Sequence, residues 1–248
     1  MTNIQEGSAR SDVKAIASIA HVMAARNGTS QIGLAVTIVS AFVYWLSNKN
    51  YDAGRGDFFY LADAFLHGRT WLDVRLGPQD VILRNGHIYV PFAPFPAVVL
   101  MPIVAVVGPQ VADQSETGIN AVLAACSVGL GWWLLGRIGV EKIADRLRLV
   151  VLLGFSTVIW WITTRGGVWH TGQLIATILT LACLIELSGS RRRPWLVGLL
   201  AGAAFLTRAP VAFAIPFYAL LIAGQRIWEP RQWPWRDWLL LAAGVLPS

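Results

Sequence analysis

The sequence predicts an all-α, polytopic membrane protein, and three observations lead to this fold class. Of its 248 residues, 55% are hydrophobic and only 14% are charged, whereas soluble domains average about 45 to 50% apolar and about 25% charged residues. The mean hydropathy is +0.55, and apolar runs recur along the chain between short polar segments. A soluble α/β enzyme, a nucleic-acid-binding module and a disordered chain are therefore poor fits.

Seven apolar runs are the candidate membrane spans, and several are shorter than the roughly 20 residues that a perpendicular span needs. Short spans are tolerated where neighbouring helices or a water-filled cavity satisfy the freed backbone groups. We therefore expect about seven spans within a membrane domain of residues 31–248. The runs are residues 32–46, 118–136, 149–163, 174–187, 195–206, 211–224 and 238–246.

An eighth apolar stretch, residues 90–107, contains Pro91, Pro94, Pro96 and Pro102, each of which removes a backbone donor and kinks or stops a helix. Charge placement decides whether this stretch crosses the membrane. If it does not cross, 13 of the 20 Lys and Arg residues share one side, as the positive-inside bias favours. The stretch is therefore predicted to be re-entrant or to lie along the outer face. The four basic segments are residues 1–30, 137–148, 191–193 and 225–237.

The same charge count orients the chain in the plasma (inner) membrane with a cytoplasmic N-terminus. Residues 1–30 are then a cytoplasmic amphipathic segment, and residues 47–109 form an extracytoplasmic loop that includes the proline-rich stretch. The last apolar segment has no polar flank. The membrane domain is therefore expected to be incomplete at its C-terminus, with a genuine stop as the alternative.

A juxtamembrane amphipathic helix is predicted directly after the first span, from Asp57 to a stop at Gly68. Asp57 has two interpretations: it is a helix cap that suits the orphan amides and the helix dipole, or it is a functional carboxylate. The predicted apolar face follows helical spacing and consists of Phe58, Leu61, Ala62, Phe65 and Leu66.

Two further polar clusters interrupt the apolar runs at the outer face. Arg165, His170 and Gln173 follow the third span, where an ordinary interfacial turn is the alternative. Arg208 interrupts residues 195–224, and an arginine at the bilayer centre costs about 2.5 to 3.5 kcal/mol; a snorkelling arginine in an outer turn is the alternative. Carboxylates, guanidinium groups and an imidazole at one face suit a lipid-linked phosphate, which an enzyme or a lipid-phosphate carrier would bind.

At these residues the sequence resembles the GT-C superfamily of polytopic glycosyltransferases, especially its protein mannosyltransferase and aminoarabinose transferase branch. Three segments carry the resemblance: DFFYLADAFLHG at 57–68, GHIYVPFAPFP at 86–96 and AFLTRAP at 204–210. It covers about residues 32–224. It implies a GT-C-like bundle with an extracytoplasmic site that transfers a sugar, with inversion, from a polyprenyl-phosphate-linked donor to an acceptor hydroxyl.

The resemblance also implies roles for individual residues. Asp57 would be the catalytic base, with Asp52 as the alternative, and Arg208, together with Arg165, would hold the donor phosphate. The family usually has a second acidic residue after the third span, and the matching position here is His170. Asp57 and His170 are therefore the candidate ligands if a divalent metal ion is used, which stays open. The expected lining of the site consists of Tyr60, His87, Tyr89, His170 and Gln173.

The expected partners are the lipid-linked sugar donor, membrane lipids and a glycan, lipid or protein acceptor, without nucleic acid. Two alternatives from other classes stay open. One is a non-catalytic GT-C-like assembly protein. The other is a transporter or flippase of a lipid-linked substrate, although such proteins often have paired halves and no internal repeat is visible.

Overall fold

The computed structural model describes residues 29–48, 56–73, 81–224 and 232–245, and these are mostly helical, which confirms the all-α prediction. The predicted segment 1–30 lies outside the described residues, except for its last two. The elements in chain order are α1 (Thr29–Ser47), α2 (Asp57–Leu66), β1 (Ile82–Arg84), β2 (His87–Tyr89), α3 (Phe95–Val107), α4 (Pro109–Gln114), α5 (Glu116–Arg137), α6 (Ile143–Phe155), α7 (Val158–Arg165), α8 (Val168–Leu187), α9 (Pro194–Phe205), a 3₁₀ helix (Ala209–Ala214), α10 (Ile215–Ala223) and α11 (Trp235–Val245).

Among the described residues, three helices are long and apolar enough to cross a membrane, namely α1, α5 and α8. Helices α6 and α7 make a fourth candidate if the two, bent by 47°, form one broken span. The expectation of about seven membrane spans is therefore wrong for this part of the chain. The other three runs are helical, but their helices are shorter than the roughly 20 residues of a perpendicular span: they are α9, residues 209–223 and α11.

The break between α6 and α7 falls inside one predicted span, residues 149–163. The Thr157 hydroxyl donates to the carbonyl of Leu153 at 2.6 Å and accepts from the backbone amide of Ile159 at 3.3 Å. The Tyr44 hydroxyl donates to the carbonyl of Gly154 at 2.8 Å. Side chains thus satisfy backbone groups at the break, which is what an interrupted helix in an apolar environment requires.

Helix α1 is tied to α5 near both of its ends. The Asn48 side-chain amide donates to the carbonyl of Thr117 at 2.7 Å, and the Trp132 indole donates to the carbonyl of Thr29 at 3.1 Å. The two helices therefore run antiparallel. We name the two ends of the bundle after the first and last residues of α5, the Glu116 end and the Arg137 end.

Helix α2 begins at Asp57, as predicted, and the chain leaves it through Gly68, whose φ is +69°. Gly56, not Asp57, occupies the N-cap position, so the interpretation of Asp57 as the N-cap residue is wrong. Phe58, Leu61 and Ala62 are buried as predicted, whereas Leu66 is exposed. The apolar face is therefore shifted toward the start of the helix, where it packs against α3.

The segment between α2 and α3 also contains a β-hairpin that we did not predict. Strands β1 and β2 pair antiparallel, with Ile82 opposite Tyr89 and Arg84 opposite His87. The turn is Asn85-Gly86, and both residues have positive φ, as two-residue hairpin turns of this composition usually do.

The proline-rich stretch forms α3, and both of its ends lie at the Glu116 end. The amide of Phe95 donates to the carbonyl of Leu206, which follows α9, at 3.2 Å. After Val107 the chain turns at Gly108, where φ is +80°, and α4 leads directly into the start of α5. The segment therefore returns to the end from which it started.

Candidate functional site

Three helix N-termini meet at the Glu116 end, those of α2, α5 and α8. Asp57 opens α2 and is 3% exposed, and Glu116 opens α5 and is 1% exposed. Helix N-termini favour negative charge because their backbone amides and the helix dipole point toward it. The fold thus places two carboxylates where helix ends stabilise them, although both are withdrawn from solvent.

Thr171 of α8 connects this end of α8 to α5. Its hydroxyl donates to Glu116 Oε1 at 2.8 Å and lies 3.0 Å from the Asn120 side-chain oxygen. A hydroxyl has one proton, so it bonds both partners only when the Asn120 amide is turned to donate its NH₂ to the hydroxyl oxygen. Glu116 also accepts the backbone amide of Gly167. The three side chains form one buried polar network.

Two atoms of this network have no hydrogen-bond partner among the described residues. They are Glu116 Oε2 and the Asn120 amide atom that faces away from Thr171, both buried. Buried polar atoms are nearly always hydrogen-bonded, and exceptions often mark functional positions or bound water. The network therefore has hydrogen-bonding capacity that the protein itself leaves unused.

A third carboxylate, Asp113 of α4, joins Asp57 and Glu116 in a group that we name the acidic cluster. Asp113 Oδ1 accepts the backbone amide of Gly56 at 2.8 Å, and its carboxylate is hydrogen-bonded to the Tyr60 hydroxyl. Burial raises the pKa of Tyr60, and the nearby charge of Asp113 and this hydrogen bond raise it further. Asp57 and Asp113 are both close enough to Glu116 to interact with it electrostatically.

Arg208 lies in the turn that follows α9, at the same end of the bundle. Its Nη2 donates to the carbonyl of Trp169 at 2.6 Å, and its guanidinium lies 5.0 Å from the centre of the Trp169 ring. Burial lowers the pKa of Arg208 from its ordinary value, but a guanidinium remains charged in proteins. Trp169 thus holds a cation in place with one hydrogen bond and one cation–π contact.

A cavity of about 210 Å³ lies beside Arg208. The Phe92 ring on its wall packs against Phe58 and Trp169, with ring centres 6.2 and 5.4 Å away. At Gly172 a Cβ would lie 3.7 Å from both Arg208 Nε and the Phe58 ring. Because Asp57 precedes Phe58 and Thr171 precedes Gly172, the cavity and the acidic cluster are adjacent.

The remaining predicted site residues lie elsewhere. Arg165 stacks over Trp161 at 5.4 Å, and the His170 ring packs edge-on against the same indole at 5.1 Å. The Nδ1 of His170 also bonds the carbonyl of Gly166. Neither residue lines the cavity beside Arg208, so the structure separates two groups that we expected to form one site.

The other predicted site residues lie away from the cavity beside Arg208 or outside the described residues. Gln173 is exposed on α8, and the His87 ring contacts Trp71, with centres 4.7 Å apart. Tyr89 lies beside it on β2, and Asp52 lies outside the described residues. In the parts of the chain that the structure describes, no three His, Cys, Asp or Glu side chains are arranged to hold a metal ion. The candidate ligands Asp57 and His170 therefore stay a prediction.

Asp113, Glu116, Asn120 and Thr171 were not among the predicted site residues. Two signals were available in the sequence. Glu116 stands two residues before the apolar run 118–136, where the first turn of a helix favours acidic residues, and Asp113 stands three residues before Glu116. In α8, successive side chains are separated by about 100°, so Thr171 faces the interior even though its neighbour His170 does not.

Comparisons with known protein families, with curated proteins and with solved structures find no match to this chain. The function must therefore be inferred from the chemistry of the Glu116 end. That end combines an acidic cluster of two buried carboxylates and one partly buried carboxylate, a fixed cation and an aromatic cavity.

Proposed function

We propose that this chain is a membrane glycosyltransferase that moves a sugar from a polyprenyl-phosphate-linked donor to an acceptor hydroxyl. One observation carries the proposal: the cation Arg208 lines an aromatic cavity, and the buried carboxylate Asp57 lies at the same end of the bundle, next in sequence to the lining residue Phe58. Carboxylates accept protons from hydroxyl groups, and guanidinium groups bind phosphate oxygens. Both activities are needed to break a bond between a sugar and a phosphate.

In this proposal Asp57 accepts the proton of the acceptor hydroxyl as its oxygen attacks the anomeric carbon. The bond from that carbon to the phosphate oxygen breaks through an oxocarbenium-like state, and the configuration inverts. Arg208 stabilises the negative charge that grows on the departing polyprenyl phosphate. Asp113 and Glu116 act as positioning residues: Asp113 fixes Gly56 at the start of α2, and Glu116 fixes the start of α8.

The surroundings of Arg208 suit a lipid-linked donor. The cavity of about 210 Å³ is smaller than the roughly 300 to 1,000 Å³ of typical ligand pockets, so it suits a compact headgroup and not a long chain. Phe213, in the 3₁₀ helix that follows Arg208, is 87% exposed, and Phe217 at the start of α10 is also exposed. Such apolar surface offers a place for the polyprenyl chain along the 3₁₀ helix and α10.

The proposed orientation of the bundle in the membrane rests on the placement of its basic residues. The basic segments at residues 137–148 and 191–193 lie toward the Arg137 end, because one follows α5 and the other lies between α8 and α9. The positive-inside bias supports a cytoplasmic Arg137 end and an extracytoplasmic Glu116 end in the plasma membrane. We further propose that these helices form a GT-C-like bundle.

The decisive experiment uses the purified full chain in nanodiscs with isotope-labelled polyprenyl-phosphate sugars, and measures release of sugar from the donor with water as the acceptor hydroxyl. Asp57→Asn should lower the rate about 10²- to 10⁴-fold, the usual contribution of a general base. The matched control is Asp63→Asn on the same helix, whose carboxylate is partly exposed and pairs with Arg69. This control should retain activity.

An Asp57→Asn variant that turns over as the parent does would overturn Asp57 as the base, and no release from any polyprenyl-phosphate sugar would overturn glycosyl transfer itself. If Asp57→Asn is fully active and Asp52→Asn is inactive, the base is Asp52. If the donor crosses the bilayer of proteoliposomes with its sugar attached, the chain is a flippase. If Asp57→Ala preserves a cellular role without any transfer, the chain is an assembly protein.

A further inference from the structure

A second, larger cavity lies at the Arg137 end, away from the proposed catalytic site. Its volume is about 1,070 Å³, and residues of α1, α5 and the segment from Glu141 to Arg146 form its walls. Its lining is both basic and aromatic, and includes Trp132, Trp133, Arg137 and Arg146. None of these residues has a role in the proposed glycosyl transfer.

Glycines let the cavity's aromatic and basic side chains lie directly on the helix backbones. A Cβ at Gly136 would lie 2.9 Å from Arg146 Nη1, and a Cβ at Gly33 would lie 2.8 Å from Trp132 Nε1. Real Cβ atoms essentially never show contacts this short. The positions of Arg146 and Trp132 therefore depend on the absence of a side chain at these two sites.

The two arginines are held by uncharged groups. The Arg146 Nε donates to the carbonyl of Val140, and its guanidinium lies 5.6 Å from the centre of the Trp132 ring. The Arg137 guanidinium lies 5.1 Å from the centre of the Trp133 ring. Each cation is thus fixed in orientation but keeps N–H groups for another acceptor.

Within the described residues, neither Arg137 nor Arg146 forms an ion pair with a carboxylate. Two nearby arginines do form ion pairs with carboxylates: Arg148 pairs with Asp145 at 2.9 Å, and Arg193 pairs with Glu186 at 2.7 Å. Glu141 also lines the cavity, but no ion pair joins it to either arginine. Glu186 is also close enough to Arg137 to interact with it electrostatically, but its charge is already paired with Arg193. Among the described lining residues, two arginines against one glutamate leave a net positive charge.

Apolar surface continues from this cavity along α1. Leu34 lines the cavity and is exposed, and Ile38 and Phe42 follow it at four-residue intervals and are exposed too. Residues four apart lie on the same face of a helix. A stripe of this kind accommodates an acyl chain whose headgroup lies among the arginines.

We propose that this cavity binds the phosphate headgroup of an anionic phospholipid, with its acyl chain along the α1 stripe. Arginine donates two parallel hydrogen bonds to phosphate oxygens, and tryptophan is enriched where membrane helices meet the headgroup region. Basic pockets between membrane helices are known headgroup sites. The volume also fits, since about 1,070 Å³ exceeds what a phosphate needs. The proposal does not depend on glycosyl transfer.

The test measures lipid binding to the full-length chain by native mass spectrometry, with thermal unfolding as a second readout. Phosphatidylglycerol should bind and raise the unfolding temperature, whereas phosphatidylcholine and inorganic phosphate should not. Arg137→Gln combined with Arg146→Gln should weaken phosphatidylglycerol binding at least tenfold. Lys142→Gln combined with Arg148→Gln is the matched control, because it removes two positive charges close by that do not line the cavity, and it should bind as the parent does.

Trp133→Ala is an independent variant in case the double arginine variant does not fold. The Trp133 ring is 52% exposed and supports Arg137 alone, so its loss should weaken lipid binding with little effect on stability. Equal binding of phosphatidylcholine, equal losses in the two double variants, or parental binding in Trp133→Ala would overturn the proposal. Binding of inorganic phosphate with no preference for the lipid would also overturn it.

Discussion

The hydroxyl of Thr171 lies 2.8 Å from Glu116 Oε1 and joins the first turn of α8 to the first turn of α5 inside the bundle. A buried carboxylate is tolerated only with compensating hydrogen bonds. The bond therefore does more than connect two helices, because it holds Glu116 next to Asp57 and Asp113. It also sets the rotation of α8 that directs Gly172 and Trp169 toward the cavity beside Arg208.

Thr171→Val should destabilise the protein, because valine has the shape of threonine but cannot bond Glu116 or Asn120. Leaving buried polar groups without a partner costs about 1 to 3 kcal/mol. Thr177→Val on the same helix is the control, since the Thr177 hydroxyl bonds only the carbonyl of Gln173 in its own helix. Thermal unfolding in detergent should show a clearly larger decrease for Thr171→Val. Equal decreases would mean that the network contributes little.

Gly56→Ala should disturb the acidic cluster, because a Cβ at Gly56 would collide with Asp113 Oδ1 and the Phe59 ring. Overpacking of this kind costs about 1 to 3 kcal/mol. Gly118→Ala is the matched control, since a Cβ there meets nothing within 4 Å and alanine favours the helix by up to about 1 kcal/mol. The two variants should change the unfolding temperature in opposite directions. A stabilised Gly56→Ala protein would show that Asp113 does not pack as described.

Gly198→Ala should weaken the contact between α9 and α11. A Cβ there would collide with the carbonyl of Leu241 and lie 2.9 Å from the Cα of Gly244. Small residues at such crossings let the backbones of membrane helices pack closely. We expect α11 to move away from α9, and hydrogen exchange of the α11 amides should report it as faster exchange. Parental exchange rates would contradict the close packing.

The positions of the helices were largely predictable from the sequence, whereas their lengths as membrane spans were not. Apolar runs locate helices because a buried or lipid-facing helix must be apolar on most sides. Breaks depend on individual groups, however, as at Thr157, whose hydroxyl bonds two backbone groups. Hydropathy averaged over a window does not detect such a residue. The run 149–163 therefore read as one span, although the structure divides it.

A site residue could be predicted where its charge interrupts an apolar run. It could not be predicted where its charge stands at the edge of such a run. Arg208 was found because it lies between two apolar helices. Glu116 and Asp113 were missed because they look like an ordinary polar boundary before α5. His170 was selected because it stands at the position that matches the family's second acidic residue. The rotation of α8 decides which side chain reaches Glu116, however, and packing sets that rotation.

Position 172 offers a test that separates the cavity from the fold. A Cβ at Gly172 would lie 3.7 Å from Arg208 Nε and from the Phe58 ring, which is ordinary van der Waals contact. Gly172→Ala should therefore fold as the parent does, with a gain of up to about 1 kcal/mol from helix propensity. Gly172→Leu projects further into a cavity of only about 210 Å³ and should exclude a ligand there.

We expect Gly172→Leu to lose binding of a polyprenyl-phosphate sugar at least tenfold, while Gly172→Ala keeps most of it. Equilibrium binding of the labelled donor measures this difference, and the unfolding temperature of each variant shows whether the fold is intact. A folded Gly172→Leu protein that binds the donor as the parent does would exclude this cavity as the donor site. Because the readout is binding and not turnover, the result tests the cavity beside Arg208 even if Asp57 is not the base.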